Sequence, residues 1–144
     1  MHVAAVIKRK GSDVVTITCD RTVTEAVTVL AERRIGAILV MDGNGAVDGI
    51  ISERDIIRAL AKYGADALSH QIQAVMTRDV QQCSPGDTIA EVMTIMTARR
   101  FRHLPVVQDG KLLGMISIGD VVKQRLDDTE LEVETLRGYV TGQG

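Results

Sequence analysis

The sequence predicts an α/β fold made of two copies of one β-α-β-β-α unit. The main observation is an internal duplication: the chain matches itself when shifted by 66 residues and, after one residue drops out near 42–44, by 65. A fixed repeat of this kind indicates paired copies of one supersecondary unit. A second observation is that each copy alternates strand-like and helix-like apolar spacing. The matched positions include Thr22 with Thr88, Glu25 with Glu91, Val40 with Val106, Gly49 with Gly114 and Asp55 with Asp120.

Each copy begins with a short apolar run that predicts a strand, Val14–Thr18 in the first and Val80–Cys83 in the second. A helix follows in both. The pattern Thr-x-x-Glu, which begins at Thr22 and at Thr88, predicts a capping box in which the hydroxyl and the carboxylate each satisfy a free backbone N–H. The apolar residues of both helices are spaced to bury one stripe. They are Val23, Ala26, Val27 and Leu30, and Ile89, Val92, Met93 and Met96.

Two further apolar runs joined by turn residues predict a hairpin in each copy. The runs are Ile38–Met41 with Val47–Ile51, and Leu104–Val107 with Leu112–Ile116. A last helix begins at Ser52 or at Ser117. Because a unit of about three strands would leave one sheet face exposed, we expect the two copies to pack together.

The duplication predicts three parts of the chain. Residues 1–66 form the first repeat, with an N-terminal helix at Val3–Lys10. Residues 67–128 form the second repeat, in which Ile72–Met76 is the counterpart of that helix. Residues 129–144 form a C-terminal tail that we expect to be helical over Thr129–Tyr139.

Composition excludes several classes of function. A net charge of −2 and 2% aromatic residues give neither a basic surface nor stacking rings, so composition does not favour a nucleic-acid partner. RNA or DNA binding through the Arg99–His103 cluster is kept as a weak alternative, which a steep salt dependence of binding would support. No run of about 18 apolar residues predicts a membrane span. Two cysteines and three dispersed histidines provide no disulfide framework and no metal site. We expect a protein of the reducing cytoplasm.

The repeated motifs resemble those of CBS domains. The resemblance covers roughly residues 1–128, and we identify it with the tandem pair known as the Bateman module. Within that family the chain is similar to small bacterial proteins in which the pair stands alone. The motifs are Arg34-Ile35-Gly36-Ala37-Ile38-Leu39-Val40, Arg102-His103-Leu104-Pro105-Val106-Val107, Gly49-Ile50-Ile51-Ser52-Glu53-Arg54-Asp55 and Gly114-Met115-Ile116-Ser117-Ile118-Gly119-Asp120.

The resemblance implies a pseudo-twofold pair with two clefts between the repeats. Such clefts bind adenosine compounds, here AMP, ATP, NAD(H) or S-adenosylmethionine, and the family has no catalytic cofactor. It also implies a homodimer of two such modules and an unidentified client protein that responds to the ligand.

The second copy carries the better candidate site, at Ser117, Ile118, Gly119 and Asp120. Ser117 ends a strand and begins a helix, where backbone N–H groups and the helix dipole favour an anion. The carboxylate of Asp120 has two oxygens that can accept both hydroxyls of a ribose, as in dinucleotide-binding folds. Gly119 has no side chain to obstruct a ligand. The resemblance assigns phosphate to Ser117 and ribose to Asp120.

The resemblance adds Arg102 and His103 as phosphate contacts, and places Ser84 and Thr18 where the family packs the adenine. In the first copy the corresponding candidates are Ser52, Arg54 and Asp55. The copies differ, because Gly36 and Ala37 stand where the second has Arg102 and His103. We therefore expect the two sites to differ in their preference for phosphate charge.

Each candidate also has a purely structural interpretation. Ser-x-x-Asp at the start of a helix is close to an ordinary capping box, which stabilises a protein by about 0.5–2 kcal/mol. Cations near a helix C-terminus, such as Arg33, Arg34, Arg99 and Arg100, are favoured by the dipole alone. We interpret the arginine pairs in this way and the Ser-x-x-Asp motifs as ligand contacts.

The leading functional hypothesis is a nucleotide-responsive regulatory module that acts on a client in trans. The alternative is a dimeric scaffold with empty clefts that acts through its C-terminal tail. Catalysis is not expected, because the sequence shows no nucleophile with its base, no paired carboxylates and no metal set.

Overall fold

The computed structural model describes residues 1–11 and 13–140. Helices and strands alternate along this part of the chain, and two 3-10 helices, Gly64–Ser69 and Ile72–Ala74, connect the repeats. The helices are α1 (Val3–Lys10), α2 (Val23–Arg33), α3 (Glu53–Tyr63), α4 (Ile89–Arg99) and α5 (Ile118–Val140). The strands are β1 (Thr16–Thr18), β2 (Ala37–Met41), β3 (Val47–Ser52), β4 (His103–Gln108) and β5 (Lys111–Ser117).

The chain divides into two compact units, each of which contains the elements of one repeat. Of the described residues, the first-repeat unit comprises 13–81 and 109–112, and the second-repeat unit comprises 1–11, 82–108 and 113–140. The N-terminal helix α1, which precedes the first repeat in sequence, therefore packs within the second-repeat unit. The linker segment 72–77, its counterpart, packs within the first-repeat unit.

The first-repeat unit contains a three-stranded sheet in the order β1-β2-β3. β1 runs parallel to β2, and β2 runs antiparallel to β3, with Ala37 opposite Ser52. This confirms the predicted β-α-β-β-α order. Its core consists of Val23, Ala26, Leu30, Ile38, Val40, Ile51, Ile56, Ile72 and Met76.

The second-repeat unit keeps the hairpin β4-β5 but not the predicted strand at Val80–Cys83. Only a parallel bridge between Cys83 and Val106 remains of that strand. Before Cys83 the chain makes a local contact instead of a ladder, because Val80 N–H donates to the Arg78 carbonyl. After Cys83 it leaves the sheet, because Ser84 begins a turn in which Asp87 N–H donates to the Ser84 carbonyl, and Pro85 has no N–H for a ladder. The core of this unit is Val3, Val6, Cys83, Ile89, Val92, Met96, Leu104, Val106, Ile116 and Val121.

The helix caps follow the sequence, with one difference. The Thr88 hydroxyl accepts from Glu91 N–H, and the Glu91 carboxylate accepts from Thr88 N–H, so α4 has the complete predicted capping box. At α2 the Thr22 hydroxyl accepts from Glu25 N–H, but the Glu25 carboxylate lies 3.7 Å from the Arg21 guanidinium instead. The prediction of a reciprocal box at Thr22 is therefore wrong in its second half.

Two predicted helices in the C-terminal part are a single helix. α5 runs unbroken for 23 residues from Ile118 to Val140 and includes the segment predicted as a separate tail helix. No proline interrupts this stretch, and its two glycines, Gly119 and Gly138, lie near its ends. Among the helices of the described residues, none combines the length and apolar character that a membrane crossing requires.

Candidate functional site

Both repeats place a Ser-x-x-Asp motif where a strand passes into a helix. β3 ends at Ser52 before α3, and β5 ends at Ser117 before α5. In each motif the serine hydroxyl accepts from the aspartate N–H, and the aspartate Oδ2 accepts from the serine N–H at 2.9 Å. Both motifs are thus reciprocal capping boxes, and capping is part of what these residues do.

In each repeat the residue just before the first strand of the hairpin is hydrogen-bonded to the same strand-to-helix junction. Glu53 N–H donates to the Gly36 carbonyl at 3.0 Å, and Ile118 N–H donates to the Arg102 carbonyl at 2.8 Å. Arg102 therefore lies beside the first residue of α5, with its side chain exposed. His103, the first residue of β4, is half-buried.

Asp55 in the first repeat is enclosed by protein. The residue is only 7% exposed. Its Oδ2 accepts from the hydroxyl of Ser52 at 3.0 Å, and its Oδ1 accepts from the hydroxyl of Thr77 at 2.9 Å. Both carboxylate oxygens are therefore occupied by protein donors.

Asp120 in the second repeat has different neighbours. The ammonium of Lys10, the last residue of α1, lies 2.7 Å from Oδ2 and also donates to the Met115 carbonyl at 2.9 Å. Oδ2 thus receives both Lys10 and Ser117 N–H, whereas Oδ1 accepts no hydrogen bond from the described residues. The Asp120 side chain is 24% exposed.

The electrostatics keep Asp120 ionised. Partial burial by itself raises the pKa of Asp120, but its hydrogen bonds with Lys10 and Ser117 outweigh burial, and the net pKa is lower than that of a free aspartate. The junction therefore presents a charged carboxylate at neutral pH, with one oxygen open.

Gly119 leaves space beside this carboxylate. A Cβ built at Gly119 meets only the Ser117 hydroxyl oxygen, at 3.6 Å. Packing within the protein therefore does not require glycine at this position. In the first repeat Arg54 occupies the aligned position in the first turn of α3.

The two adenine candidates, Thr18 and Ser84, are not part of the hydrogen-bonded Ser-x-x-Asp junctions. Thr18 pairs with Met41 and Ser52 pairs with Ala37, which are at opposite ends of β2, about 13 Å apart at 3.3 Å per residue. The structure does not bring Thr18 to the Ser52–Asp55 junction, and its hydroxyl donates to Asp20. Ser84 lies in the turn after Cys83, where its N–H donates to the Asp87 carboxylate.

Sequence reasoning missed Lys10 and Thr77, which contact the aspartates from outside the Ser-x-x-Asp motifs. The repeat register aligns Lys10 with Met76 and Gly11 with Thr77, so neither residue has a polar counterpart that would indicate a role. In the sequence Lys10 is only the third of three consecutive cations, which the structure places in the last turn of α1. Its contact with Asp120 depends on α1 packing in the second-repeat unit.

The arginine pairs behave as helix-end residues. Arg34 and Arg100 are the C-cap residues of α2 and α4, both with left-handed backbone conformation. Arg33 and Arg99 lie in the last turns of these helices.

A shallow groove follows another face of α5 and does not include Asp120. Its lining residues are Ile118, Gly119, Val122, Lys123, Leu126, Asp127 and Glu130. Farther along the helix Leu131, Val133 and Leu136 are also exposed. Within the described residues, no three His, Cys, Asp or Glu side chains come together as a metal site.

Comparison with known proteins assigns the family. The CBS domain family matches residues 3–62 and 72–127. A CBS-domain protein of Agrobacterium tumefaciens, ATU1752, superposes with a TM-score of 0.85 at 45% identity, over 87% of this chain and 99% of that one. The mitochondrial CBS domain-containing protein CBSX3 of Arabidopsis thaliana is 32% identical over 97% of this chain and 72% of its own length.

A more distant structure shows the same fold with ligands. The CBS domain pair of protein MJ0100, solved in complex with 5′-methylthioadenosine and S-adenosyl-L-methionine, has a TM-score of 0.79 at 22% identity. That likeness covers 89% of this chain and 98% of that one. Two family matches in one chain, each over one copy of the duplication, lead to one conclusion: this protein belongs to the CBS domain family and contains a pair of CBS domains.

Proposed function

We propose that this CBS pair is a regulatory module that binds an adenosine compound at the Ser117–Asp120 junction of its second repeat. The observation that carries the proposal is the state of Asp120. Its carboxylate is fixed by Ser117 and ionised, its side chain is 24% exposed, and its Oδ1 accepts no hydrogen bond from the described residues. A rigid, charged acceptor at a strand-to-helix junction suits the hydroxyl groups of a ribose.

The ligand class follows from the chemistry of the junction. The ribose and adenine are common to AMP, ATP and NAD(H), and also to the two compounds bound by MJ0100. The positive end of the α5 dipole and the exposed guanidinium of Arg102 favour a ligand that also carries phosphate. We therefore place Arg102, His103, Ser117, Ile118, Gly119 and Asp120 in the proposed site.

The first-repeat junction is the weaker candidate. Both oxygens of Asp55 are already bound by Ser52 and Thr77, so a ribose would have to displace a protein hydroxyl. Ser52, Arg54 and Asp55 remain proposed ligand residues only for a second, weaker site, and Thr18 and Ser84 only as adenine contacts.

The regulatory output is part of the proposal. A ligand shifts a conformational equilibrium only through its different affinity for the two states, and a client protein would respond to that shift in trans. We propose no catalytic activity and no catalytic cofactor. The two free thiols, Cys19 and Cys83, suit a reducing compartment such as the cytoplasm.

Calorimetry on nucleotide-free protein tests this function. AMP, ATP and NADH are titrated into the wild type and into Asp120→Asn and Asp55→Asn. We expect one ligand to bind in the micromolar range, at about −8 kcal/mol, and Asp120→Asn to abolish that binding while its melting temperature stays close to the wild-type value. S-adenosyl-L-methionine is titrated as a fourth adenosine compound, and absence of binding by all four ligands to the wild type would refute the proposal.

A dimeric scaffold is the second candidate, because α5 exposes an apolar stripe. Val122, Leu126 and Leu136 are exposed large hydrophobic residues, which are typical of surfaces that bind another protein. Light scattering after size-exclusion chromatography measures the mass of the wild type and of Leu126→Glu. A wild-type dimer that Leu126→Glu converts to a monomer supports the scaffold role, and a wild-type monomer contradicts it.

A further inference from the structure

Lys10 and Asp120 together present both a donor and an acceptor. Two of the three N–H groups of the Lys10 ammonium are used by Asp120 Oδ2 and by the Met115 carbonyl. The Lys10 side chain is 40% exposed, and its ammonium has no third hydrogen-bond acceptor among the described residues, just as Oδ1 of Asp120 has no donor among them. A ribose can therefore bind Oδ1 without breaking the ion pair.

The charge balance of the pair matters for a phosphorylated ligand. A lone carboxylate attracts ribose hydroxyls but repels a phosphate group attached to the same ribose. With Lys10 at 2.7 Å the pair has no net charge, so the hydroxyl acceptor is kept while the repulsion is removed. The third N–H of the Lys10 ammonium, which has no acceptor among the described residues, adds attraction for an anion.

The duplication supplies an internal comparison. The residue aligned with Lys10 is Met76, and the aspartate of that repeat receives the neutral hydroxyl of Thr77 instead. The same capping box therefore carries a cation in one repeat and an uncharged donor in the other. Capping alone does not require the cation, because Asp55 caps α3 without it.

The position of Lys10 at a helix end does not explain its contact. Lys8, Arg9 and Lys10 all lie in the last turn of α1, where the dipole favours cations. Arg9 pairs with Asp127 at 3.5 Å, whereas Lys10 contacts the proposed ribose ligand Asp120. Lys8 is exposed and carries the same charge on the same helix, which makes it a matched control.

We propose that Lys10 sets the charge preference of the second-repeat site, so that phosphorylated adenosine compounds bind more tightly than the neutral nucleoside. This inference rests on the proposed function of Asp120. Lys10 is a specificity-determining residue in this proposal, and it acts by neutralising Asp120 and by offering its free N–H to the phosphate.

The test compares adenosine, AMP and ATP as ligands of the wild type, Lys10→Met, Lys10→Arg and the control Lys8→Met, by calorimetry with ligand up to millimolar concentrations. Lys10→Met is expected to weaken AMP about tenfold, the loss of one charge-assisted hydrogen bond, and ATP at least as much. The affinity for adenosine is expected to change by less than about twofold, because the Asp120 carboxylate that accepts its ribose hydroxyls remains. Lys10→Arg restores most of the AMP affinity, and Lys8→Met resembles the wild type.

The outcomes separate the two proposals. If the wild type binds none of adenosine, AMP and ATP, this inference fails. The proposed function fails with it only if NADH and S-adenosyl-L-methionine do not bind either. A second case is that the wild type binds AMP, but Lys10→Met leaves the AMP affinity unchanged or lowers the affinities for adenosine and AMP by the same factor. The proposed function then stands and the role of Lys10 is refuted. If adenosine binds too weakly to be measured, the comparison uses AMP and ATP alone. The role of Lys10 is then also refuted if Lys8→Met weakens the binding of these two ligands by the same factor as Lys10→Met. Thermal melting of each variant confirms that it is folded.

Discussion

The Thr77 hydroxyl donates a 2.9 Å hydrogen bond to Oδ1 of Asp55, whereas the aligned Asp120 leaves its Oδ1 open and pairs with Lys10 through Oδ2. Identical capping motifs therefore have different surroundings in the two repeats. In the first repeat the aspartate is a buried structural acceptor, and in the second it is a partly exposed anion.

The same substitution should cost more at Asp55 than at Asp120. Three donors point at the two oxygens of Asp55. Asp55→Asn replaces these charge-assisted hydrogen bonds with weaker neutral ones, and the Thr77 hydroxyl has to turn so that it accepts from the amide NH2. At Asp120 an asparagine can keep its oxygen toward Ser117 N–H and turn its NH2 to the open side. We expect Asp55→Asn to lower the free energy of unfolding by about 1–3 kcal/mol and Asp120→Asn by at most about 1 kcal/mol. Urea denaturation at pH 7 measures both, and equal losses would contradict the difference in surroundings.

Two aligned glycines give a second matched pair. A Cβ at Gly49 would lie 2.6 Å from the Thr77 carbonyl oxygen, which bonds the N–H of Ile50, so the backbone itself must move. A Cβ at Gly114 would lie 2.9 Å from Cδ1 of Ile7, the far end of a flexible side chain on α1. We expect Gly49→Ala to destabilise by about 3 kcal/mol and Gly114→Ala by about 1 kcal/mol or less. Chemical denaturation measures the free energy of unfolding of both variants. A larger loss in Gly114→Ala than in Gly49→Ala would show that the backbone at Thr77 moves more easily than α1.

The Lys10–Asp120 pair should stabilise the protein in a pH-dependent way. The pKa of Asp120 is lower in the folded protein than the usual 3.8, so between these values the unfolded chain binds more protons than the native one. The stabilisation is therefore complete above pH 5 and is lost as pH falls below 3.8 through the folded value. Because the pair is partly exposed, it contributes no more than about 1 kcal/mol.

Thermal melting of the wild type and of Asp120→Asn from pH 3 to pH 7 checks this dependence. Any difference in melting temperature should narrow as the buffer becomes acidic, because the variant has no carboxylate to protonate at this position. A difference that stays constant over this range would mean that the pair does not contribute through the charge of Asp120.

The two thiols should differ in reactivity. Burial, together with the nearby Asp87 carboxylate, raises the pKa of the Cys83 thiol to about 12, so almost no thiolate forms at pH 8. Cys19 is partly exposed. With a thiol-specific reagent at pH 8 we expect one thiol to react in the native protein and the second only in denaturant. The control is Cys19→Ser, which should remove the native reaction, and a fast native reaction in that variant would show that Cys83 is accessible.

Much of the fold followed from the sequence because its signals are local. Apolar spacing placed Val23, Ala26 and Leu30 on one buried stripe, and all three are core residues. Thr22 and Thr88 marked the helix starts that the structure shows. The strand at Val80–Cys83 was predicted from its apolar run, but strands need partners, and the turn at Ser84–Pro85 left Cys83 with a single bridge. The prediction of a separate tail helix was wrong, because no helix-ending residue follows the repeat and α5 continues to Val140.

The sequence by itself determined the duplication, the order of elements in the first repeat and the Ser-x-x-Asp junctions, since these depend on residues within a few positions of one another. Only the tertiary structure decided which aspartate is open. Lys10 lies 110 positions from Asp120 and Thr77 lies 22 positions from Asp55, and no local pattern predicts such contacts. They arise because α1 buries Val3 and Val6 in the core of the second-repeat unit, while Ile72 and Met76 are buried in the core of the first-repeat unit. Burial of these apolar side chains thus fixes which polar group reaches each carboxylate, and with it the difference between the two junctions.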